Sequence, residues 1–515
     1  MNYIHIYIVL AALIFMVWML IRDKLRPGLL LFSVVVIFIC TGVLTPEEAL
    51  AGFSNKGMIT VALLFLVSEG VRRSDSLGAI MKRIFPSKEH SSIRRGYICI
   101  MGVVASASAF LNNTPIVVIF IPHIKQWAKR VGLPLKKFLI PLSYAAILGG
   151  MCTLIGTSTN LVVHGLMLEA GYEGFSMFEL GKVGGIIAIA GIAYIVLLGD
   201  KRLPDDSSEK ENTSTSGSSP HIVEAVIGPR FPGINKEPGE FDFNSHFNAD
   251  ILQLRRKGVP INDIANIRFR EGDALVLSAD EQFIQTWGDS SVFLLLSNDA
   301  DHTPKCPTWK KWFTLSLLVV MIGGATLGDT AFMKELVPGM SFDMFFWACV
   351  VTVIMAFTNI IPPKKYTKFI TWDILITIAS ALAISQAMTK SGLADWVAGG
   401  LLNIANDVPP IVIMAILYIV TNLITELITN NAAAAFAFPI AMSAATQLGV
   451  DPMPFFVAIS IAASCSFSSP IGYQTNMIVQ GIGGYTFRDF LRIGLPMNIL
   501  AFIIATIFIP IFWPF

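Results

Sequence analysis

Charge is scarce in this sequence. Of 515 residues, 14% are Asp, Glu, Lys or Arg and 54% are hydrophobic, whereas a soluble domain carries roughly a quarter charged residues. That deficit excludes an ordinary soluble enzyme. Apolar runs near the roughly 20 residues that cross a bilayer core point to a polytopic membrane protein in contact with lipid. Neither sign predominates, with 37 Lys+Arg against 36 Asp+Glu, so no global field favours nucleic acid as a partner. Cysteine is sparse as well. Cys40, Cys99, Cys152, Cys306, Cys349 and Cys465 stand singly with no CxxC, a spacing that suits small apolar fillers rather than a disulfide framework, cluster or zinc centre. No GxGxxG and no GxxxxGK[ST] occurs, so neither a dinucleotide cofactor nor ATP-driven transport is supported. No paired acid and base, metal cluster or nucleophile triad lies at membrane depth, and no catalytic residue is assigned.

The basic residues that are present alternate between the ends of the apolar runs, which orients them. A first span at about 3–21 ends inside at Arg22, Lys24 and Arg26, with the N-terminus outside. Spans at about 28–44 and 58–72 follow, then the basic stretch Arg72 to Arg95, which has the character of an interfacial helix. Residues 96–126 are different. Basic groups flank them on both sides and LNNTP divides them at 111–115, leaving arms of about 12–15 residues, too short to cross. Both ends being cytoplasmic, the segment reads as a re-entrant hairpin with Asn112, Asn113 and Thr114 at its tip. Irregular backbone at that depth requires burial in protein or a cavity.

A span interrupted by GGMCTLIGTSTN (149–160) and another at about 177–198 come next, then a hydrophilic segment to about 311. Spans at about 312–329, 341–361 and 372–389 lead to a second hairpin at 408–446, an interrupted span at 454–480 and a last at 493–513, which leaves the C-terminus outside. Asn113, Thr114, Pro122 and Ser108 map onto Asn430, Asn431, Pro439 and Thr425 at an offset of 317, and Gly156, Thr159 and Asn160 onto Gly472, Thr475 and Asn476 at 316. The first hairpin enters from inside and the second from outside, so the repeats are inverted, the pattern of secondary transporters. Each of these polar residues taken alone could be a packing residue. Recurrence of both clusters in register favours a site.

No Lys or Arg lies near either tip or either break, so a bound anion would be held by dipoles: half-helix N-termini with free N–H groups, and Asn and Thr side chains. Unwound carbonyls together with Ser108, Thr425 and Asn oxygens suit a small cation beside it. Glu426, one turn before Asn430, would brace the second hairpin or relay a proton. Glu69 would pair with Arg72 and Arg73.

At these residues the chain resembles the divalent anion:sodium symporter family, through FLNNTPIVVIFIP (110–122), ELITNNAAAAFAFPI (426–440), LIGTSTN (154–160) and SSPIGYQTN (468–476). The resemblance implies an all-α polytopic membrane protein with two re-entrant hairpins and two broken helices, working as an elevator and as a homodimer. Carried over by position, sodium would be held by Ser108, Asn112, Asn113 and Gly156 in one half and by Thr425, Ile428, Asn430 and Gly472 in the other. Substrate would meet Asn113, Thr114, Thr157, Thr429, Asn430, Asn431 and Gln474. The dicarboxylate carriers of that family typically have Thr-Pro-Pro-Asn at the breaks. Here Thr157-Ser158-Thr159-Asn160 and Tyr473-Gln474-Thr475-Asn476 stand instead, and the variant motifs look like those of sulfate-type permeases.

The insert, residues 200–311 between membrane repeats 1–199 and 312–515, begins with a Ser-rich linker (207–220). It continues as a small α/β cytosolic unit at about 221–288, with strands in HIVEAVIGPR, ADILQLRRKG and IRFREGDALVLSAD and a short helix in EQFIQTW. It resembles the ligand-binding half of potassium-channel regulator domains (RCK-C or TrkA-C), which implies a small-molecule ligand, or it is a structural β-rich insert. The combined expectation is a bacterial inner-membrane symporter that moves a small divalent oxyanion, sulfate first, with sodium as coupling ion and no cofactor. The alternatives are a dicarboxylate symporter and a ligand-gated ion channel.

Overall fold

Long apolar helices dominate the fold, because within lipid only hydrogen-bonded helix satisfies the backbone. The computed structural model describes residues 3–22, 25–74, 76, 92–204, 221–228, 230–238, 240–256, 259–261, 267–279, 283, 287, 292–298, 307–328, 342–364, 366–404 and 409–515. The proposed interfacial helix after Arg73, the Ser-rich linker and most of EQFIQTW lie outside these residues.

Helices α1 (Tyr3–Arg22), α2 (Pro27–Cys40), α3 (Pro46–Ala51) and α4 (Lys56–Ser74) open the chain. A pair then meets at 109–112, α5 (Ile93–Ser108) and α6 (Asn113–Val131), followed by α7 (Lys136–Gly150), α8 (Ser158–Glu169) and α9 (Gly181–Arg202). After the insert come α11 (Thr308–Gly328), α12 (Met344–Phe357), α13 (Trp372–Ser391) and α14 (Leu393–Ile404). A second pair meets at 428–429, α15 (Pro410–Leu427) and α16 (Asn430–Leu448), and α17 (Met453–Ser464), α18 (Gln474–Gly483) and α19 (Phe487–Phe512) close the chain. Helix α14 has no counterpart in the sequence reading, which left 390–407 unassigned.

Among the described residues six helices are long and apolar enough to cross a membrane: Pro46–Ser74, Gly181–Arg202, Thr308–Gly328, Trp372–Ser391, Pro410–Leu427 and Phe487–Phe512. The arms of the two pairs run 16 to 19 residues, longer than the sequence arithmetic allowed. In the first pair the excess lies at the basic ends, where Arg94 and Arg95 open α5 and Lys129 and Arg130 close α6. Length alone therefore does not separate an arm from a span. Both pairs end alike, on a left-handed glycine: Gly132 at φ 79° and Gly449 at φ 67°. They are 317 residues apart, and a side chain there would strain the backbone.

The first pair packs on α7, the second on α17, and α9 on α19; α13 lies against α2 and, across the molecule, against α16. Small residues make the last contact close, for α16 carries Ala432 to Ala435 facing inward.

The insert is an antiparallel five-stranded sheet in the order β3-β2-β4-β1-β5, with β1 (His221–Ile227), β2 (Ala249–Arg256), β3 (Val259–Ile261), β4 (Ala274–Ala279) and β5 (Phe293–Asn298). A single turn of helix, α10 (Phe243–Phe247), precedes β2. Strand β5 lies past the boundary at 288 read from the sequence, since FLLLSN has none of the alternation that marks a half-buried strand. The sheet has its own core, in which the Phe231 ring meets Phe241, Phe243, Phe247, Phe269 and Phe293 at 5.3–6.1 Å between centroids.

Candidate functional site: two tips and two helix breaks

Both breaks are built on one asparagine. Asn160 Nδ2 donates to Thr153 O (2.8 Å) and Gly150 O (3.4 Å); Asn476 Nδ2 donates to Ser469 O (3.1 Å) and Ser466 O (2.9 Å). Each amide thus holds carbonyls left open between two half-helices, which would otherwise be buried without partners. The hydroxyl at the middle of each loop accepts from the glycine amide that follows, Gly156 N to Thr153 Oγ1 (3.2 Å) and Gly472 N to Ser469 Oγ (3.3 Å). The pairs correspond at an offset of 316.

Each break presses on its own hairpin tip. A Cβ on Gly156 would lie 2.5 Å from Gly150 O and 2.9 Å from Ser108 O; one on Gly472 would lie 2.6 Å from Thr425 O and would overlap Ser466 Oγ. Only glycine admits this approach. At each tip a buried hydroxyl meets a buried asparagine. Ser108 Oγ donates to Asn113 Oδ1 at 2.7 Å, and Thr425 Oγ1 lies 2.9 Å from Asn430 Oδ1 and donates to Ala463 O at 2.7 Å. Turned over, the Asn113 amide pairs at both ends, its nitrogen facing Ser108 Oγ (2.7 Å), Ala146 O (3.0 Å) and Gly156 O (3.2 Å) and its oxygen accepting from Tyr473 Oη (2.5 Å), and this is the orientation that its surroundings satisfy without a bound ion. With the oxygen inward, four oxygens face one another, an arrangement that asks for a cation among them.

The halves also interlock. Thr114 Oγ1 donates to Gln474 Oε1 (3.3 Å), and the corresponding pair in the other direction is Ser158 Oγ to Asn431 Oδ1 (3.1 Å). Thr157 Oγ1 and Tyr473 Oη, the two residues just before the second half-helices, meet at 3.0 Å. The phenol is also within reach of the Asn430 carboxamide. Four helix N-termini, those of α6, α8, α16 and α18, are thereby drawn together, and none has a side-chain cap. Thr45, Ser92 and Asp343 cap α3, α5 and α12, whereas α2, α7, α9, α13, α15 and α17 also lack a side-chain cap, so what sets these four N-termini apart is that they meet. Uncapped first-turn N–H groups combined with four positive dipole ends suit an anion. No Lys or Arg occurs from 138 to 181 or from 391 to 487.

Of the residues singled out in the sequence, Ser108, Asn113, Thr114, Gly156, Thr157, Thr425, Asn430, Asn431, Gly472 and Gln474 come together in this way. Thr429 Oγ1 is buried with no hydrogen-bond partner among the described residues. Asn112 and Ile428 contribute to the tips by backbone position, and the Asn112 side chain makes no capping bond. Glu426 accepts from Ser468 N (2.8 Å), Ser466 Oγ (3.2 Å) and Asn498 Nδ2 (2.7 Å), bracing the second break against α19. Glu69 pairs with Arg72 and Arg73, each at 2.8 Å. Sequence reasoning missed Tyr473 and Asn498. A lone Asn in the last span was the available signal for the second.

The family model described as citrate transporter matches residues 13–459, with a further match over 347–514. An uncharacterized transporter of Synechocystis is 28% identical, covering 96% of this chain and 95% of its own. Sodium/sulfate cotransporter 1 of Chlamydomonas reinhardtii is 21% identical over 90% of this chain and 84% of its own, and a sodium-dependent dicarboxylate transporter of Staphylococcus saprophyticus 22% over 90% and 78%. Among solved structures, the Alcanivorax borkumensis YdaH transporter aligns over 90% of this chain and 88% of its own with a TM-score of 0.54 at 12% identity, a likeness of fold. With matched residues spanning most of the sequence, the chain belongs to the citrate transporter family and is an integral membrane transporter, not an enzyme.

Proposed function

We propose that the protein is a symporter that brings a small divalent oxyanion, sulfate first, into a bacterial cell together with sodium. The observation that carries this reading is the meeting of four uncapped helix N-termini in a region without basic side chains. Such a site binds negative charge through N–H groups and hydroxyls, and in low dielectric it gains from a cation alongside. The oxygen clusters at Ser108, Asn113, Ala146 O and Gly156 O, and at Thr425, Asn430 and Ala463 O, are where sodium would sit. Relatives named as sodium/sulfate and sodium-dependent dicarboxylate transporters support the coupling ion and the charge of the cargo.

The hydrogen bonds repeated at 316–317 residues support an internal repeat. The alternation of basic ends supports its inversion, with both termini outside. Elevator motion of the hairpin-bearing helices and a homodimeric state follow from the resemblance. The insert would be cytoplasmic and regulatory, binding a small molecule. It reaches α6 and the loop before α13, which both carry basic residues, and it touches α18. Lys125 of α6 pairs with Glu224 at 2.9 Å, Arg230 donates to Lys368 O and Ile370 O at 2.9 and 2.8 Å, and Gly272 lies against Met477 of α18.

Uptake of labelled sulfate and succinate into proteoliposomes, with and without an inward sodium gradient, tests the reading. Saturable, sodium-driven sulfate uptake is the expected result. Succinate preferred over sulfate would make the protein a dicarboxylate carrier, and flux indifferent to sodium would make it a channel or uniporter. A variant lacking 205–300 should keep basal uptake.

A further inference from the structure

Tyr473 lies where the two halves touch. At an offset of 316 it corresponds to Thr157, and the two hydroxyls face each other at 3.0 Å. One half therefore presents a small side chain at this point and the other a full phenol ring. The same phenol is 2.5 Å from the Asn113 carboxamide, whose other end borders the Ser108 oxygen cluster.

A phenol has one proton to give and two lone pairs to receive with. When the Asn113 nitrogen points inward to Ser108 Oγ, Ala146 O and Gly156 O, its oxygen faces the phenol and takes that proton. When the oxygen points inward, the nitrogen faces the phenol and donates to it, releasing the phenol proton from Asn113 for an anion or for the Asn430 carboxamide nearby. Thr157 can donate to the remaining lone pair, so it need not compete for the proton. A cation among the four oxygens favours the second orientation, because it requires the amide oxygen and repels the N–H groups.

We propose that Tyr473 couples and selects the cargo: a cation at the Ser108–Asn113 cluster turns the Asn113 carboxamide and frees the Tyr473 O–H for the anion, while the ring, standing where the first half has threonine, admits only a compact oxyanion. The coupling is local, one amide wide, and reciprocal, so the anion tightens the cation site by the same factor. A phenol ring leaves less room at this point than the threonine opposite it, which disfavours an extended dicarboxylate. This rests on the sodium–oxyanion reading above.

The test uses the full chain in proteoliposomes, wild type against Tyr473→Phe and Tyr473→Thr, with sulfate KM and kcat measured across a sodium series and succinate as competitor. In the wild type, sulfate KM falls as sodium rises. Y473F is expected to raise sulfate KM at saturating sodium by about tenfold or more, the loss of one hydrogen bond to a charged group, and to flatten its sodium dependence. Its melting temperature should still rise on adding sodium, since the cation cluster is intact. A packing role alone would lower kcat and melting temperature and leave the sodium dependence of KM unchanged. Y473T is expected to make succinate a competitor at concentrations about tenfold lower. Y473F with wild-type KM and sodium dependence overturns the coupling role, and Y473T with unchanged selectivity overturns the size role. Should Y473F fail to fold, Y473T alone decides, since a threonine hydroxyl falls short of Asn113 and the sodium dependence of sulfate KM must be lost with it. Wild-type protein that takes up neither anion under a sodium gradient overturns the symport reading first, and this proposal with it.

Discussion

The two halves share their scaffolding and differ in what they offer a ligand. Asn160 and Asn476 hold the breaks through equivalent carbonyls, and Thr153 and Ser469 anchor the same glycine amides. Around them the residues diverge: Thr157 against Tyr473, Ser158 against Gln474, Thr114 against Asn431, and Gly150 against Ser466. Glu426 has only Ala109 opposite it. Backbone carbonyls without partners are costly wherever they are buried, so both halves keep the same solution. A ligand held between them need not be held symmetrically.

That contrast can be broken most severely at the glycines. Gly156→Ala would force a methyl group into two backbone carbonyls, and Gly472→Ala into one carbonyl and a movable hydroxyl. Overpacking of this kind costs about 1–3 kcal/mol. Both should abolish sulfate uptake, with the larger drop in melting temperature at Gly156. Next come the asparagines at the tips. Asn113→Ala and Asn430→Ala each remove an amide from an oxygen cluster, and uptake should fall about thirtyfold or more while the protein still purifies as a folded species. Equal losses would make the two clusters equivalent, whereas a larger loss at Asn113 would reflect its short 2.5 Å contact with Tyr473.

Glu426→Gln sharpens the asymmetry. The carboxylate accepts from three donors in the second half, and an amide can accept through only one of its two ends. A loss of about 1–3 kcal/mol is expected, read as a lower midpoint in thermal unfolding. The smallest effect is expected outside the repeat. Lys125→Ala removes a surface pair with Glu224 worth about 0–1 kcal/mol, so uptake should change by less than about twofold.

Much of this was legible because polar residues inside apolar runs are conspicuous. The NN tips and the GxxTN breaks stood out by chemistry, and their spacing pointed to a repeat that the hydrogen bonds 316 residues apart support. Helix α14 did not, since LADWVAGGLLNI is short and follows a span without a strong break. Strand β5 reads as an apolar run that either helix or strand would accept. Tyr473 was hidden for another reason: a tyrosine near the end of an apolar segment is commonplace, and only the contact with Asn113 and Thr157 gives it meaning. Gln474 beside it drew attention by its polarity, yet it bonds across to Thr114.

Arg230 reaches the membrane helices through main-chain oxygens at 368 and 370. Every residue type carries that oxygen, so exchanges of side chain at those two positions leave the handle intact. Drift in the loop before α13 is therefore compatible with a preserved grip by the insert, and the place to look for selection is the arginine rather than its partners.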